Sequence, residues 1–132
     1  MSDFQEQIQR SIQDFREYNI RAESAIEKAL LKCGQRVERT AKELFKGRDD
    51  DSVKGEPPRV DTGRYRASIT HSLEKEGNET VVYVGSNVEY AYDLEFGTSK
   101  TWPHPLLGPA GEMNDAQNDE EIAEALRGVD NA

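Results

Sequence analysis

"ASITHSLEKEGNETVVYVGS", residues 67–86, is the stretch in which the hydrophobic period of this chain changes. Ile69, His71 and Leu73 alternate with polar residues, so they share one face of an extended run. Thr80-Val81-Val82-Tyr83-Val84 forms a second run, rich in β-branched and aromatic residues, and Gly77-Asn78 lies between the two. Two such runs joined by a short glycine turn predict an antiparallel β-hairpin.

Upstream the period is helical. Phe4, Ile8, Ile12, Phe15, Ala22, Ile26, Ala29, Leu30, Cys33, Val37, Ala41, Leu44 and Phe45 follow steps of three and four, with Glu, Gln, Lys and Arg in the gaps. At 1.5 Å per residue, forty-odd residues would make a rod of roughly 60 Å, long for a domain of this size. A break or kink is therefore expected near Tyr18-Asn19-Ile20, with Gly34 a second weak point. The alanines and the lack of strict heptads favour packing on a small sheet over a coiled coil. The expected fold class is α+β: a long N-terminal helical region packed on a small antiparallel sheet, with a short helix and a C-terminal helix.

Between helix and hairpin lies "GRDDDSVKGEPPR", residues 47–59, which has nothing to build a core with and reads as a loop. At over a dozen residues it is either a mobile or binding segment or a plain surface excursion. After the hairpin, Ser86-Asn87-Val88-Glu89 fits a capping box, and a short helix through Tyr90, Ala91 and Leu94 would stop at Gly97. "TWPHPLLGPA", residues 101–110, is proline-rich and extended until Gly108-Pro109 opens a last helix, with Pro109 at its first position. The organisation expected is one domain over 1–132: a helical region (1–46), a flexible acidic loop (47–60), the hairpin, short helix and Pro-rich segment (61–111), and an acidic C-terminal helix and tail (112–132).

Charge limits the partners. The net charge of -9 is uneven: residues 1–48 carry ten basic and eight acidic side chains, residues 49–111 six and eleven, and residues 112–132 one and seven. Sequence-independent binding of a phosphate backbone relies on clustered Lys and Arg, which this balance lacks. The lone Cys33 sits at a helical core position, so neither a disulfide framework nor a cysteine zinc site is available. No window resembles a membrane span or a secretory leader, and the chain reads as cytosolic and unprocessed.

Asp61-Thr62-Gly63, within "RVDTGRYRASI" (59–69), is the triplet of the two-aspartate proteases, and a homodimer could supply both carboxylates. Arg59 and Arg64 would then be buried at the dyad and would favour two ionised carboxylates over one shared proton. The structural alternative has Asp61 or Thr62 accepting from backbone amides while Gly63 supplies an unusual dihedral at the start of a helical turn. His71 alternates with apolar strand residues and reads as a packed or interface side chain, and His104 has no partner readable from sequence. Asp93 and Glu95, two apart on a short helix, point in different directions. No cofactor or metal is called for.

One constellation fits a family. Asp61, Thr62, Gly63, Arg64, Ser68 and Ile69, then Gly85, Tyr90, Ala91, Glu95, Phe96, Gly97 and Thr98, then Pro105, Leu107, Pro109 and Ala110 occur in one order and spacing. Over roughly residues 20–127 the chain resembles the small neck or tail-completion proteins of long-tailed bacteriophages, typified by D-T-G with a following Arg and S-I, by Y-A before E-F-G-T, and by R-P-F-L-R-P-A. It departs from them at Tyr65, where the family has Leu, and at His104, Leu106 and Gly108, where it has Arg, Phe and Arg. The resemblance implies a structural virion protein and no enzyme, made in the host bacterial cytoplasm: a ring at the head–tail junction, expected to be sixfold, or a ring-forming protein that is monomeric until it meets its partner. Implied partners are further copies of itself, a portal-side adaptor or head-closure protein, and a tail terminator or tail-tube protein, with genome DNA passing unbound and no membrane. The expected structural and interface residues are Asp61, Thr62, Gly63, Arg64, Tyr90, Glu95, Phe96, Gly97, Pro105 and Leu107 from the matched motifs, with Trp102 and Leu106 from the Pro-rich segment that a neighbour could order. A ring subunit meets neighbours through two different faces, and an acidic surface suits a channel past which DNA slides.

Overall fold

The computed structural model describes residues 2–45, 63–100 and 102–131, so the acidic stretch 47–60 and Asp61-Thr62 lie outside the described residues. Helix α1 spans Asp3–Glu43, α2 Arg64–Ser68, α3 Ala91–Phe96 and α4 Leu107–Asp130; strands β1 (Thr70–Glu76) and β2 (Glu79–Gly85) make a two-stranded antiparallel sheet. The fold is α+β, as expected.

Helix α1 begins at a full capping box. The Ser2 hydroxyl accepts from the Gln5 amide at 3.2 Å, and the Gln5 side chain accepts from the Ser2 amide at 3.3 Å. The 41-residue helix then runs without interruption, which corrects the break expected near Tyr18-Asn19-Ile20. Those three residues are weak helix formers by only about half a kcal/mol each relative to Ala, and no Pro or Gly is among them. The Tyr18 hydroxyl also donates to Asp130 Oδ1 at 2.7 Å, holding that turn against the end of α4. Length is accommodated because residues 2–17 stand exposed, beyond the end of α4.

Gly34 is not a weak point either. It is buried where the hairpin crosses α1, and a Cβ there would lie 2.6 Å from Val82 Cγ2 and 3.2 Å from His71 Cβ. The missing side chain is what lets the strands approach the helix. The hairpin register places His71 opposite Val84 and Leu73 opposite Val82, with Gly77-Asn78 as the two-residue turn. Polar pairs rim this contact: His71 Nδ1 lies 3.2 Å from Glu38 Oε1, and Lys75 reaches Glu27 at 3.0 Å.

Helix α4 packs antiparallel along α1. Asn114 Nδ2 donates to Thr40 Oγ1 at 3.0 Å, the Arg36 guanidinium donates to Asn118 Oδ1 and Glu121 Oε1, and Tyr18 meets Asp130 at the far end. Small buried residues of α1, Ala29 and Cys33, line the same length of the rod. Burial pushes the Cys33 thiol up.

The core sits at the C-terminal end of α1. Ala41, Tyr65, Ile69, Leu106 and Ala110 are buried together, with Val37, Leu44, Phe45, Val84, Tyr90, Leu94 and Leu107 packed around them. Ile69 and Leu106 are the largest fully buried side chains among the described residues. Truncating either to Ala would cost about 2–5 kcal/mol, because the transfer term and the cavity term add.

Candidate functional site

The residues singled out by sequence converge on this core from three segments. Gly63 precedes α2 with φ +78° and ψ -4°, a left-handed conformation that side chains resist. It turns the backbone so that Arg64 and Tyr65 leave in different directions. Arg64 stays exposed and makes a bidentate pair with Glu89, at 3.0 Å (Nη1 to Oε1) and 2.8 Å (Nη2 to Oε2). Its guanidinium carbon also lies 5.8 Å from the centre of the Tyr90 ring. The hydrogen bonds to Glu89 raise the Arg64 pKa, and those from Arg64 lower that of Glu89. Both groups are open to solvent, so salt screens the pair.

Tyr65 goes inward. Its ring meets Phe45 edge-on at 5.3 Å and Tyr90 edge-on at 6.1 Å. Its hydroxyl is buried and has no hydrogen-bond partner among the described residues. Burial first, and then the Glu95 carboxylate, push the Tyr65 pKa up to about 12.

Ser86 does not form the expected capping box. Its hydroxyl accepts from the Val88 amide at 3.0 Å and pairs with the Ser68 hydroxyl at 2.5 Å, while the Glu89 carboxylate is held by Arg64. Helix α3 consequently starts later, at Ala91, with Tyr90 as a cap that offers no side-chain acceptor. A local two-residue turn has won over the four-residue box.

Glu95 holds the site together. Its Oε1 accepts from the Leu106 and Leu107 amides, each at 2.9 Å, and its Oε2 accepts from the Gly108 amide at 3.0 Å. These are amides that open α4, which has no side-chain cap of its own. Pro109 has no amide to satisfy, and Ala110 begins the helical ladder by donating to the Leu106 carbonyl at 3.0 Å. The amides at the start of α4 are thereby accounted for, three of them by one carboxylate from another helix. Pro109 is the third helical residue and not the first, as α4 begins at Leu107.

Gly97 makes the reach feasible. It ends α3 with φ +76° and ψ 172°, and its amide donates to the Asp93 carbonyl at 2.7 Å. The chain turns back, and the His104 amide donates to the Leu94 carbonyl at 2.6 Å, which brings the first turn of α4 onto Glu95. Leu106 is buried, Pro105 and Leu107 half-buried, and His104 is buried with them. Phe96 and Trp102, by contrast, are exposed.

Thus Gly63, Arg64, Tyr90, Glu95, Gly97, Pro105, Leu106 and Leu107 belong to one corner, with Phe96 and Trp102 on its outside. Sequence reasoning placed Glu89 in a capping box and missed its pairing with Arg64, 25 residues away, for which no local signal exists. It also passed over Tyr92, whose ring sits 4.8 Å from that of Phe96; their i, i+4 spacing was the available clue. No group of three or more His, Cys, Asp or Glu that could hold a metal ion occurs among the described residues.

A family model, HK97-gp10-like, described as "Bacteriophage HK97-gp10, putative tail-component", matches residues 6–97. The chain belongs to this family of bacteriophage tail components. The match takes in α1, α2, the hairpin and α3, and ends at Gly97. It starts nearer the N-terminus than the motif resemblance did and stops before the Pro-rich segment. Within this tail component, Glu95 is the residue of the matched region that caps the start of the helix beyond it, while Tyr18, Arg36 and Thr40 bond along its length. No curated protein and no solved structure matches the chain. The assignment to a tail-associated structural component places the chain among virion proteins, and no described helix is long and apolar enough to cross a membrane.

Proposed function

We propose that this tail component is a ring-forming subunit of the neck, at the junction between the DNA-filled head and the tail. A portal-side adaptor or head-closure protein would contact one side of the ring and a tail terminator or tube protein the other. The observation that carries the reading is the amount of apolar surface left open in a small tail-component chain. Among the described residues, Phe4, Phe15, Tyr92, Phe96 and Trp102 are all more than half exposed. A solitary domain rarely leaves so many large side chains in water, whereas a subunit covers them with neighbours. The acidic balance fits too: Glu112, Asp115, Asp119 and Glu124 are exposed along α4, a surface that repels passing DNA.

Antibody labelling of intact particles tests the location. Label at the head–tail junction is expected, and label along the whole tube, or on no part of the particle, would overturn the reading. Native mass spectrometry with negative-stain microscopy tests the ring. A stable compact dimer that cleaves peptides, with cleavage lost in Asp61→Asn, would return the function to a two-aspartate protease.

A further inference from the structure

Apart from Ile20 and Tyr83, the exposed large apolar side chains among the described residues fall into two groups at opposite ends of α1. The first is the stripe of Phe4, Ile8, Ile12 and Phe15, exposed by 69, 43, 46 and 66%. At about 100° per residue these four lie on one face of the helix. The same face continues through Ile26, Cys33 and Val37, where α4 and the hairpin cover it. The second group is built on Tyr92 and Phe96, whose rings lie 4.8 Å apart, with Trp102 on the Pro-rich segment and Met113 on α4; the four are exposed by 71, 66, 58 and 66%. It lies at the corner where Glu95 ties α3 to α4, beside the Thr40 end of α1.

These patches cannot meet within one molecule. From Ile12 to Thr40 the uninterrupted helix spans roughly 40 Å, at 1.5 Å per residue. They do match as partners. An aromatic side chain offers about 150–250 Å² and Ile or Met somewhat less, so at these exposures the two patches together present roughly 1,000 Å². That is near the lower bound of a specific interface, which neither patch reaches alone. At one edge the charges match, since Arg16 borders the stripe and Asp93 and Glu112 are exposed beside the second patch, although residues 3–17 as a whole carry four acidic side chains against two arginines.

We infer that the Phe4–Phe15 face of one copy docks on the Tyr92–Phe96–Trp102–Met113 patch of the next, head to tail. The inference rests on the reading of this chain as a repeating subunit and names the contact that repeats. Such a contact is heterologous, and it closes into a ring or runs on according to its rotation. Pairing of the stripe with a second stripe would leave the aromatic corner bare, and is the competing arrangement.

Sedimentation velocity of the full chain, up to about 100 μM, distinguishes them. Ile8→Asp/Ile12→Asp disables the stripe, and Tyr92→Ser/Phe96→Ser disables the corner; all four positions are exposed, and circular dichroism checks that helicity is kept. Trp102→Ser/Met113→Ser is a second corner variant should the first lose its fold. The unmodified chain is expected to associate, and each variant alone to sediment as the 14.9 kDa monomer. An equimolar mixture of a stripe variant and a corner variant retains one good junction and is expected to give a 1:1 pair that grows no further. A corner variant that assembles like the unmodified chain, a mixture that stays monomeric, or an unmodified chain that stays monomeric would each overturn the inference. Junction labelling of particles reports on the neck reading independently of all three.

Discussion

Replacing Glu95 by Ala removes the acceptor of three amides at once. Leu106 is fully buried and Leu107 half-buried, so their amides would lose their partner where water has poor access. Gly108 is exposed, and its amide can turn to solvent at little cost. A buried donor left unsatisfied costs about 1–3 kcal/mol. Two of them, softened by fraying of the first turn of α4, give a loss of about 3 kcal/mol for Glu95→Ala. Glu95→Gln keeps a carbonyl oxygen for Leu106 and Leu107, but sets its NH₂ against the Gly108 amide and removes the charge from the helix N-terminus. A partly buried charge–dipole contact is worth up to about 2 kcal/mol, so the Gln variant should lose roughly half as much as the Ala variant. Urea unfolding followed by circular dichroism reads both, and about 3–6 °C of Tm per kcal/mol is expected for a chain of this size. If the two variants are equally stable, or both lie within about 0.5 kcal/mol of the parent, the carboxylate does not hold the start of α4 and the account of this corner is wrong.

Two further predictions concern the core. Gly34→Ala should destabilise by about 1–3 kcal/mol although Ala is the better helix former, because the new methyl meets Val82 Cγ2 at 2.6 Å; Val82→Ala should recover much of the loss in a double-mutant cycle, and a Gly34→Ala protein more stable than the parent would refute the close approach. Tyr65→Phe removes a hydroxyl with no described partner and should be neutral or stabilising by up to about 1 kcal/mol. The folded Tyr65 pKa is raised from 10.0 to about 12, so the unfolded chain releases this proton first and stability falls as pH climbs through that window; the Phe variant should lose less stability there, and an unchanged alkaline profile would count against a neutral, buried hydroxyl.

Local patterns were readable from sequence where they were also decisive. The period-two runs and Gly77-Asn78 identified the hairpin and its turn, and the helical spacing from Phe4 to Phe45 identified α1. Gly97 was legible as a stop because a positive φ there has few alternatives to glycine. The errors lie where tertiary contacts outweigh local preference. Ser86 and Glu89 have the spacing of a capping box, yet Arg64, brought close by the fold, takes the carboxylate. Glu95 looked like one of two unrelated acids on a short helix, since amides eleven to thirteen residues away leave no trace in a periodicity. The apolar face of α1 read as core along its full length, because a stripe that stands exposed in the single chain has the same spacing as one covered from within. Of the candidate site, Gly63-Arg64, the E-F-G-T segment and the Pro-rich segment were singled out as motifs; that one carboxylate joins the last two was not visible.

The unbroken run of α1 from Asp3 to Glu43 has a geometric consequence. With no hinge along it, the Phe4–Phe15 face and the core at Ala41 are locked in one rotational phase, like two gears on a single shaft. One residue inserted in the exposed turns would swing that face by about 100° while leaving the body untouched, whereas seven would restore it to within about 20° and only lengthen the shaft. The helix thus tolerates change by the heptad and not by the residue, and its length is a gauge as well as a scaffold.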